Sequence, residues 1–208
     1  MNRVFDVIFS LLALSVLLPL FLPVCLFLRL TGEGDVFYRQ ERIGRYGNVF
    51  KLLKFATMLR DSPNMGSGTI TLADDPRVLP FGKVLRATKI NELPQLFNVL
   101  IGEMSLIGPR PLTKDGFELY DKNARESIYK ARPGLSGIGS IIFRDEESLL
   151  KNKENVVEFH RKVIGSYKQE LELWFENKTQ LKYYLLLIIL TVFCVLFPKT
   201  RIVWRAFP

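Results

Sequence analysis

The apolar residues divide the chain into three parts. A nearly continuous apolar run extends from Val4 to Leu28, a polar and glycine-rich stretch follows, and a shorter apolar run extends from Tyr183 to Phe197. The first run, about 25 residues, is long enough to cross a hydrocarbon core of roughly 30 Å. The second covers only about 22 Å as a helix, which favours an interfacial or shallowly inserted helix over a second crossing.

The N-terminal run departs from a plain spanning helix. Pro19 and Pro23 lie in its interior, where each removes a hydrogen bond and bends the helix, and the polar Asp6 lies near its start. Arg3 precedes the run and Arg29 follows it, so the positive-inside rule allows both ends on the cytoplasmic face. We expect a re-entrant helix-break-helix that enters one leaflet and returns. A simple spanning helix is the alternative.

The polar part begins with a predicted β-hairpin within residues 31–50, where short alternating pieces such as Val36-Phe37-Tyr38 lie between glycines. The next segment, Lys51 to Arg60, contains Lys54-Phe55-x-Thr57-Met58. Taken alone, this segment has two interpretations: an amphipathic helix with a solvated lysine, or part of a functional site. Asp61 to Thr71 is rich in Ser, Pro, Asn and Gly, a composition that predicts a loop.

A short helix is predicted after Asn91, with Leu93, Leu96, Phe97 and Leu100 on its apolar face. Asn91 is the expected N-cap, Glu92 lies in the first turn, and Gly102 ends the helix. The tight turn Gly108-Pro109-Arg110-Pro111 follows. A carboxylate, a helix N-terminus and an arginine are thereby brought together, an arrangement that suits binding of a phosphate and a metal ion.

Two more helices are predicted in the second half of the chain, the first over residues 115–130. The second is amphipathic, about 20 residues long, and has an inward stripe at helical spacing. Its stripe comprises Val157, His160, Ile164, Tyr167, Leu171 and Trp174. We expect His160, the only histidine, to be a packed core or interface residue without a catalytic role.

Composition and net charge indicate which classes of molecule the protein binds. Apolar residues make up 48% of the 208 residues and the formal net charge is +8, so a membrane protein with a basic surface is expected. The apolar ends favour anionic lipids and phosphorylated substrates over nucleic acid. Cys25 and Cys194 lie inside the apolar runs, without ligand spacing, and the polar part fits a reducing cytoplasm. Neither a phosphate-binding glycine motif nor a zinc ligand set occurs in the sequence.

The central motif carries a family resemblance. Glu92 to Leu96, Asn98 to Leu100, Gly102, Met104-Ser105 and Gly108 to Pro111 match the core of the monotopic phosphoglycosyl transferases, bacterial sugar transferases that begin glycoconjugate assembly. Lys54-Phe55-x-Thr57-Met58, Asp75-Pro76-Arg77 and Arg132-Pro133-Gly134 also match. In that family an Asp-Glu dyad opens the helix, whereas this chain has Asn91 at the Asp position.

The resemblance implies an α+β, mainly helical fold in three parts. Residues 1–30 would form a re-entrant membrane helix, residues 31–180 a small cytoplasmic catalytic domain with a minor β-hairpin, and residues 181–208 a C-terminal interfacial or shallowly inserted helix. The chain would lie in the bacterial inner membrane with its catalytic domain facing the cytoplasm. The oligomeric state is left open.

The activity that the resemblance implies is transfer of a sugar 1-phosphate from a UDP-sugar to polyprenyl (undecaprenyl) phosphate, with release of UMP. Membrane lipids would be further partners, with no nucleic acid involved, and Mg²⁺ would be the cofactor, with Glu92 as its ligand. Asn91 and Glu92 occupy the catalytic positions. The phosphate-binding candidates are Lys54, Arg86, Arg110, Arg132 and Arg144.

Asn91 leaves several hypotheses about the reaction mechanism open. Relatives pass through a covalent phosphosugar on the dyad's aspartate, and an asparagine amide is a poor nucleophile. Position 91 could hold a substitution for a natural aspartate. In a natural sequence, Glu92 or the alternative carboxylate Asp145 would attack, or transfer would be direct. The remaining alternative is a non-catalytic membrane-bound homologue that binds nucleotide-sugar or prenyl phosphate.

Overall fold

The computed structural model describes residues 3–66, 71, 74–144, 149–150, 155–176, 178, 180–197 and 200, and it confirms a mainly helical α+β fold. The helices in these ranges are α1 (Arg3–Leu30), α2 (Pro80–Ala87), α3 (Gln95–Ile101), α4 (Lys114–Glu118), α5 (Lys122–Ile128), α6 (Ile138–Ile142), α7 (Val156–Phe159), α8 (Ser166–Glu176) and α9 (Leu181–Leu196). The strands are β1 (Phe37–Ile43), β2 (Val49–Phe55), β3 (Ser105–Ile107) and β4 (Gly134–Ser136).

The apolar N-terminal run forms one helix, α1, which continues through Pro19 and Pro23. The expected interruption at the prolines is therefore absent. Asp6 near the start of α1 and Leu28 near its end are both buried, whereas many apolar side chains between them are exposed. Within the described residues, α1 is the one helix long and apolar enough to cross a membrane, judged by length and composition.

Strands β1 and β2 form an antiparallel hairpin, in register from Phe37 opposite Phe55 to Ile43 opposite Val49. This confirms the predicted hairpin and extends it through Phe55, so the amphipathic-helix alternative for that segment was wrong. Side chains two positions apart face the same side of a β-strand, and here Phe50 and Leu52 are both buried in the core with Val99 and Met104.

Asn91 does not cap α3. It lies in a 3₁₀ turn, Ile90–Glu92, and α3 begins only at Gln95. Lys89, with φ of 60°, starts this tighter turn, so the backbone bonds in it span three residues and Asn91 is buried inside it. The predicted end is confirmed, because Gly102 closes α3 in the left-handed conformation.

The short parallel pair of β3 and β4 holds the glycine-proline turns together, with Ser105 opposite Gly134. A Cβ on Gly108 would lie 2.3 Å from the carbonyl oxygen of Arg132, and a Cβ on Gly137 would lie 2.1 Å from that of Gly108. Only glycine permits such a close approach of two backbones.

The amphipathic helix near the C-terminus matches its predicted inward stripe at Ile164 and Leu171, which face the core, and departs from it at two other positions. α7 is followed directly by a π-helix, His160–Gly165, and then by α8. The wider π turns change the angular position of every later side chain. Tyr167 and Trp174, expected inside, are 63% and 49% exposed, whereas Lys168 and Glu172 are buried.

The predicted helix over residues 115–130 is two helices, α4 and α5. The backbone N–H of Asp121, between them, donates to the side chain of Gln169 at 2.9 Å instead of continuing a helix. The second apolar run forms a helix, α9, as predicted, and its interfacial or shallowly inserted placement stays a prediction. It packs Leu187 and Leu190 against Ile107 and Ile138.

Candidate active site

Glu92 and Lys54 form the centre of the candidate site. Glu92 ends the 3₁₀ turn before α3, and Lys54 lies on β2, so the hairpin and the α3 segment each supply one side chain. The Lys54 Nζ and Glu92 Oε1 atoms are 3.6 Å apart, and the two side chains are 20% and 29% exposed. Both face a cavity, where a bound molecule could reach them.

Further cations lie around this pair. Burial lowers the pKa of Lys54 to about 8; the carboxylate of Glu92 acts in the opposite direction, and the positive charges of Arg42, Arg110 and Arg86 lower it further. Burial would raise the pKa of Glu92, but the positive charge of Lys54 and Arg110 lowers it instead. Glu92 is therefore a carboxylate at neutral pH, and positive charge exceeds negative charge at this site. Such a site favours an anionic ligand.

Arg42 also lines the cavity; from the sequence alone, a lipid-anchoring role and a substrate role were equally open for it, and it was not among the phosphate-binding candidates. Burial lowers its pKa to about 10, and the neighbouring Arg110 contributes to that shift. Its Nη2 and Nε atoms donate to Gln40 Oε1 at 2.6 and 3.2 Å. The alternation of side chains along a strand indicates this position for Arg42, because Gln40 and Arg42 lie on the same face of β1 as Tyr38, which pairs with Lys54.

Arg110 projects from a turn whose backbone carbonyl groups accept hydrogen bonds. The buried side chain of Glu172 lies close to Arg110. Hydrogen bonds connect Gly134 N to Pro109 O (2.8 Å), Tyr129 Oη to Arg110 O (2.9 Å), Arg42 Nη1 to Pro111 O (3.2 Å) and Ile43 N to Leu112 O (2.8 Å). These hydrogen bonds hold the backbone of the turn and so fix the position from which the guanidinium extends.

Asn91 lies beside Glu92 and lines the same cavity. It is 5% exposed, and its Oδ1 atom has no hydrogen-bond partner among the described residues. An unpaired buried acceptor typically costs about 1–3 kcal/mol, so this oxygen is suited to bind a ligand or a cation. The side chain that replaces the dyad's aspartate is thus placed at the site.

The structure brings most of the predicted site residues to one cavity. Its lining includes Lys54, Arg86, Asn91, Glu92, Arg110 and Arg144. Arg132 is not among them: its Nε donates to the Gly102 carbonyl oxygen at 2.9 Å, at the C-terminal end of α3. Its role as a phosphate ligand remains a prediction. Asp145 lies outside the described residues.

The residues at the site fit a Mg²⁺ ion that is held by few protein side chains and otherwise by water and substrate phosphates. The described part of the chain contains no group of three or more His, Cys, Asp and Glu side chains that could hold a metal. Mg²⁺ usually keeps several waters and binds one or two carboxylates together with substrate phosphates. The Glu92 carboxylate and the unpaired Asn91 oxygen match that requirement.

The cavity joins this charged site to apolar surface. It has a volume of about 1590 Å³. Its apolar wall includes Leu12 and Val16 of α1 and Ile188, Val192 and Val195 of α9. A molecule with an anionic head and a long apolar tail matches both walls.

Comparison with known proteins gives consistent matches. Residues 1–198 match the family described as bacterial sugar transferase. The chain is 42% identical over 161 residues to the exopolysaccharide production protein ExoY of Sinorhizobium fredii, covering 71% of each protein. It is 36% identical over 188 residues to the UDP-glucose:undecaprenyl-phosphate glucose-1-phosphate transferase of Caulobacter vibrioides, covering 87% of this chain and 67% of the relative.

A third match is the undecaprenyl-phosphate galactose phosphotransferase of Salmonella typhimurium, 32% identical over 161 residues that cover 70% of this chain and 33% of the relative. The family match extends over nearly the whole chain, and it includes the cavity, Glu92 and the cations around it. The chain therefore belongs to the bacterial sugar transferase family and is a transferase.

Proposed function

We propose that the chain transfers a sugar 1-phosphate from a UDP-sugar to polyprenyl phosphate and releases UMP. In the net reaction an oxygen of the prenyl phosphate becomes bonded to the sugar-bearing phosphorus. The bond from that phosphorus to the bridging oxygen breaks, and UMP leaves with that oxygen. The observation that carries the proposal is the excess of cations around Glu92 in a cavity with an apolar wall.

The cations suit a diphosphate undergoing transfer. Arg42 and Arg110 are planar guanidinium groups, each able to bind two phosphate oxygens, and Lys54 adds a point charge beside them. Fixed positive charge in a partly enclosed cavity stabilises charge that develops on the leaving oxygen. A bound Mg²⁺, held by Glu92 and the Asn91 oxygen, would neutralise further phosphate charge.

The contacts of α1 support a re-entrant membrane helix, and the basic residues at both of its ends favour the cytoplasmic face for the site. The Arg3 guanidinium donates to the carbonyl oxygens of Val99 and Leu100 in α3. At the other end of α1, Leu28 packs in one cluster with Phe55 of β2. A straight span would carry its ends to opposite sides of roughly 30 Å of hydrocarbon, so contacts from both ends to one domain favour entry and return on one side.

Asn91 supports a second candidate, a membrane-bound homologue that binds nucleotide-sugar or prenyl phosphate without turnover. A neutral amide cannot form the covalent phosphosugar that the resemblance implies at this position. For the catalytic proposal, the remaining routes are direct transfer between the two substrates or attack by Glu92 or Asp145.

A UMP-release assay separates these functions. The detergent-solubilised protein would be tested with a panel of UDP-sugars, undecaprenyl phosphate and Mg²⁺, and binding of each UDP-sugar would be measured in parallel. We expect UMP release only when both substrates are present, and a loss of about a hundredfold or more in Glu92→Gln. Glu126→Gln, which removes an exposed carboxylate of α5, is the matched control.

Each outcome selects one function. UMP release that depends on undecaprenyl phosphate and on Glu92 supports the transferase proposal. UDP-sugar binding without UMP release supports the binding homologue. Absence of both binding and release contradicts the proposed substrates.

A further inference from the structure

The guanidinium of Arg42 is held by a neutral side chain of its own strand. Its Nη2 and Nε atoms donate to Gln40 Oε1 at 2.6 and 3.2 Å, and its Nη1 atom donates to the Pro111 carbonyl oxygen at 3.2 Å. Gln40 and Arg42 are two positions apart on β1, so their side chains lie on the same face of the strand. One amide oxygen thereby accepts from one edge of the planar guanidinium.

These bonds leave donors of Arg42 for a ligand. Nη1 and Nη2 each carry two N–H groups, and each atom makes one of the bonds just described. The second N–H of each has no acceptor among the residues that the structure describes. Gln40, Arg42 and Lys54 all line the cavity. A phosphate in the cavity can therefore accept hydrogen bonds from both Nη atoms.

Repulsion between cations makes the hold on Arg42 necessary. Arg42 and Arg110 line the same part of the cavity, and Arg42 is bonded to the carbonyl group of Pro111, the residue after Arg110. Burial, and after it the positive charge of Arg110, lowers the pKa of Arg42 to about 10. Before an anion binds, like charge favours rotation of a long side chain away from its neighbour. The bonds to Gln40 and Pro111 oppose that rotation and preorganise the guanidinium.

The neutral charge of Gln40 matters as much as its oxygen. A carboxylate at this position could accept from the same Nε and Nη2 atoms. It would also cancel the charge of Arg42, at a site where an excess of positive charge favours the anionic ligand. An amide oxygen orients the guanidinium and leaves its charge for the ligand.

We infer that Gln40 is a positioning residue for the transfer reaction, which holds the Arg42 guanidinium towards the diphosphate of the nucleotide-sugar without cancelling its charge. Gln40 acts through Arg42 and is not itself a phosphate ligand. The identity of the bound diphosphate rests on the proposed function, whereas the orientation of Arg42 can be measured without any ligand.

The first test measures binding of UDP, with Mg²⁺ present, to the detergent-solubilised protein by isothermal titration calorimetry. Gln40→Met keeps the size of the side chain but removes the acceptor, so UDP affinity should fall about tenfold. In the Arg42→Met background the same change should alter affinity less than about twofold. Gln180→Met makes the same substitution at an exposed residue that does not line the cavity, and it should bind UDP as the parent does. Equal losses in both backgrounds would show that Gln40 contacts the ligand itself and would overturn the inference.

Gln40→Glu separates orientation from charge in the same assay. Glutamate can accept from Arg42 as glutamine does, so the guanidinium should stay in place. UDP affinity should nevertheless fall several-fold, because one positive charge of the site is cancelled. Affinity equal to that of the parent would contradict the role of a neutral acceptor.

The second test needs no ligand. Arginine modification by phenylglyoxal, read by peptide mass spectrometry, reports how freely the Arg42 guanidinium moves. Gln40→Met should raise the rate at Arg42 several-fold, whereas Gln40→Glu should not raise it. The rate at Arg132, which is bonded to the Gly102 carbonyl oxygen, should be unchanged in both variants.

The two readouts keep the role of Gln40 separate from the proposed function. A parent that does not bind UDP contradicts the proposed nucleotide-sugar substrate, and the modification rates then decide whether Gln40 holds Arg42. An unchanged Arg42 rate in a folded Gln40→Met protein overturns the inference. Faster modification of Arg132 as well as Arg42 would indicate general loosening of the fold and would overturn it too.

Discussion

The hydroxyl of Tyr184 in α9 donates a hydrogen bond of 2.9 Å to the carboxylate of Asp6 in α1. The same carboxylate accepts from the Ser105 hydroxyl at 2.8 Å and from the Leu106 N–H at 2.9 Å. The two apolar helices are thereby fixed to β3 at one buried point. A cluster of this kind stabilises the arrangement only while all of its members are present.

We therefore expect Asp6→Ala to be strongly destabilising, because three donors, two of them buried, lose their acceptor. The loss should be about 3–5 kcal/mol, whereas Tyr184→Phe, which removes one donor, should cost about 1–2 kcal/mol. Unfolding in detergent micelles, followed by circular dichroism, measures both. Ser15→Ala, at an exposed position of α1, is the control. A loss in Asp6→Ala no larger than in this control would contradict the proposed anchor.

The topology of α1 gives a second prediction: Arg3 and Arg29 lie on the same, cytoplasmic face. Single cysteines would be placed beside each arginine in a protein that lacks Cys25 and Cys194. An impermeant thiol reagent applied to intact cells should label neither, and it should label both after the cells are opened. Labelling of only the N-terminal cysteine in intact cells would establish a simple span.

Arg110 should be required for substrate binding more than for stability. Arg110→Lys keeps the charge but loses the planar pair of donors, so UDP-sugar affinity or kcat/KM should fall by about tenfold or more. Thermal stability should remain within about 1 kcal/mol of the parent, as expected for a side chain facing a cavity. The control is Arg39→Lys, on the exposed side of β1. A parallel fall in stability and binding would instead make Arg110 a structural residue.

Changing Asn91→Asp should restore the carboxylate that the family resemblance implies. Asn91 makes no helix-capping hydrogen bond, so the substitution removes none. The surrounding cations should stabilise a second carboxylate in the folded protein. We expect UMP release to rise by about a hundredfold or more, with a phosphosugar adduct detected by mass spectrometry. Stability should change by less than about 1 kcal/mol.

The alternative outcome for Asn91→Asp is equally informative. Turnover by the parent that is unaffected by Asn91→Asp and abolished by Asp145→Asn would place the nucleophile at residue 145. Turnover in neither protein, with UDP-sugar still bound, would favour the binding homologue.

Stability should depend on pH through Glu172. Burial raises its pKa to about 7, so the folded protein holds this proton more tightly than the unfolded chain does. The resulting stabilisation is complete below the ordinary pKa of 4.5 and is lost as the pH rises through 7. Between pH 5 and 8 the parent should lose up to about 3 kcal/mol relative to Glu172→Gln.

Urea unfolding at several pH values measures this difference. Glu170→Gln, exposed on the same helix, should retain the pH dependence of the parent. Parallel profiles for the parent and Glu172→Gln would show that Glu172 does not titrate in this range.

Local patterns were sufficient for several elements. The apolar run predicted a helix at α1, although not its continuity through Pro19 and Pro23. Alternation with glycines predicted the hairpin, and Gly102 predicted the end of α3. Glu92 and Arg110 were identified as site candidates from their local motifs and Lys54 from the family resemblance, and the structure brings all three to one cavity. These features depend on residues close in sequence, where side-chain period and backbone preference act directly.

Other features were decided by contacts between distant parts of the chain. The hairpin register and the position of the Arg110 turn bring Arg42 to the site, whereas the bond from Arg132 to Gly102 directs that side chain elsewhere.

Glu172 is buried on the helix that follows a π-helix, and a regular helical period does not anticipate such a wider turn. Local residue patterns specify which helices, turns and charged motifs are available. Packing of distant segments specifies which charges meet, because a charged side chain is buried where distant backbone groups can hydrogen-bond to it.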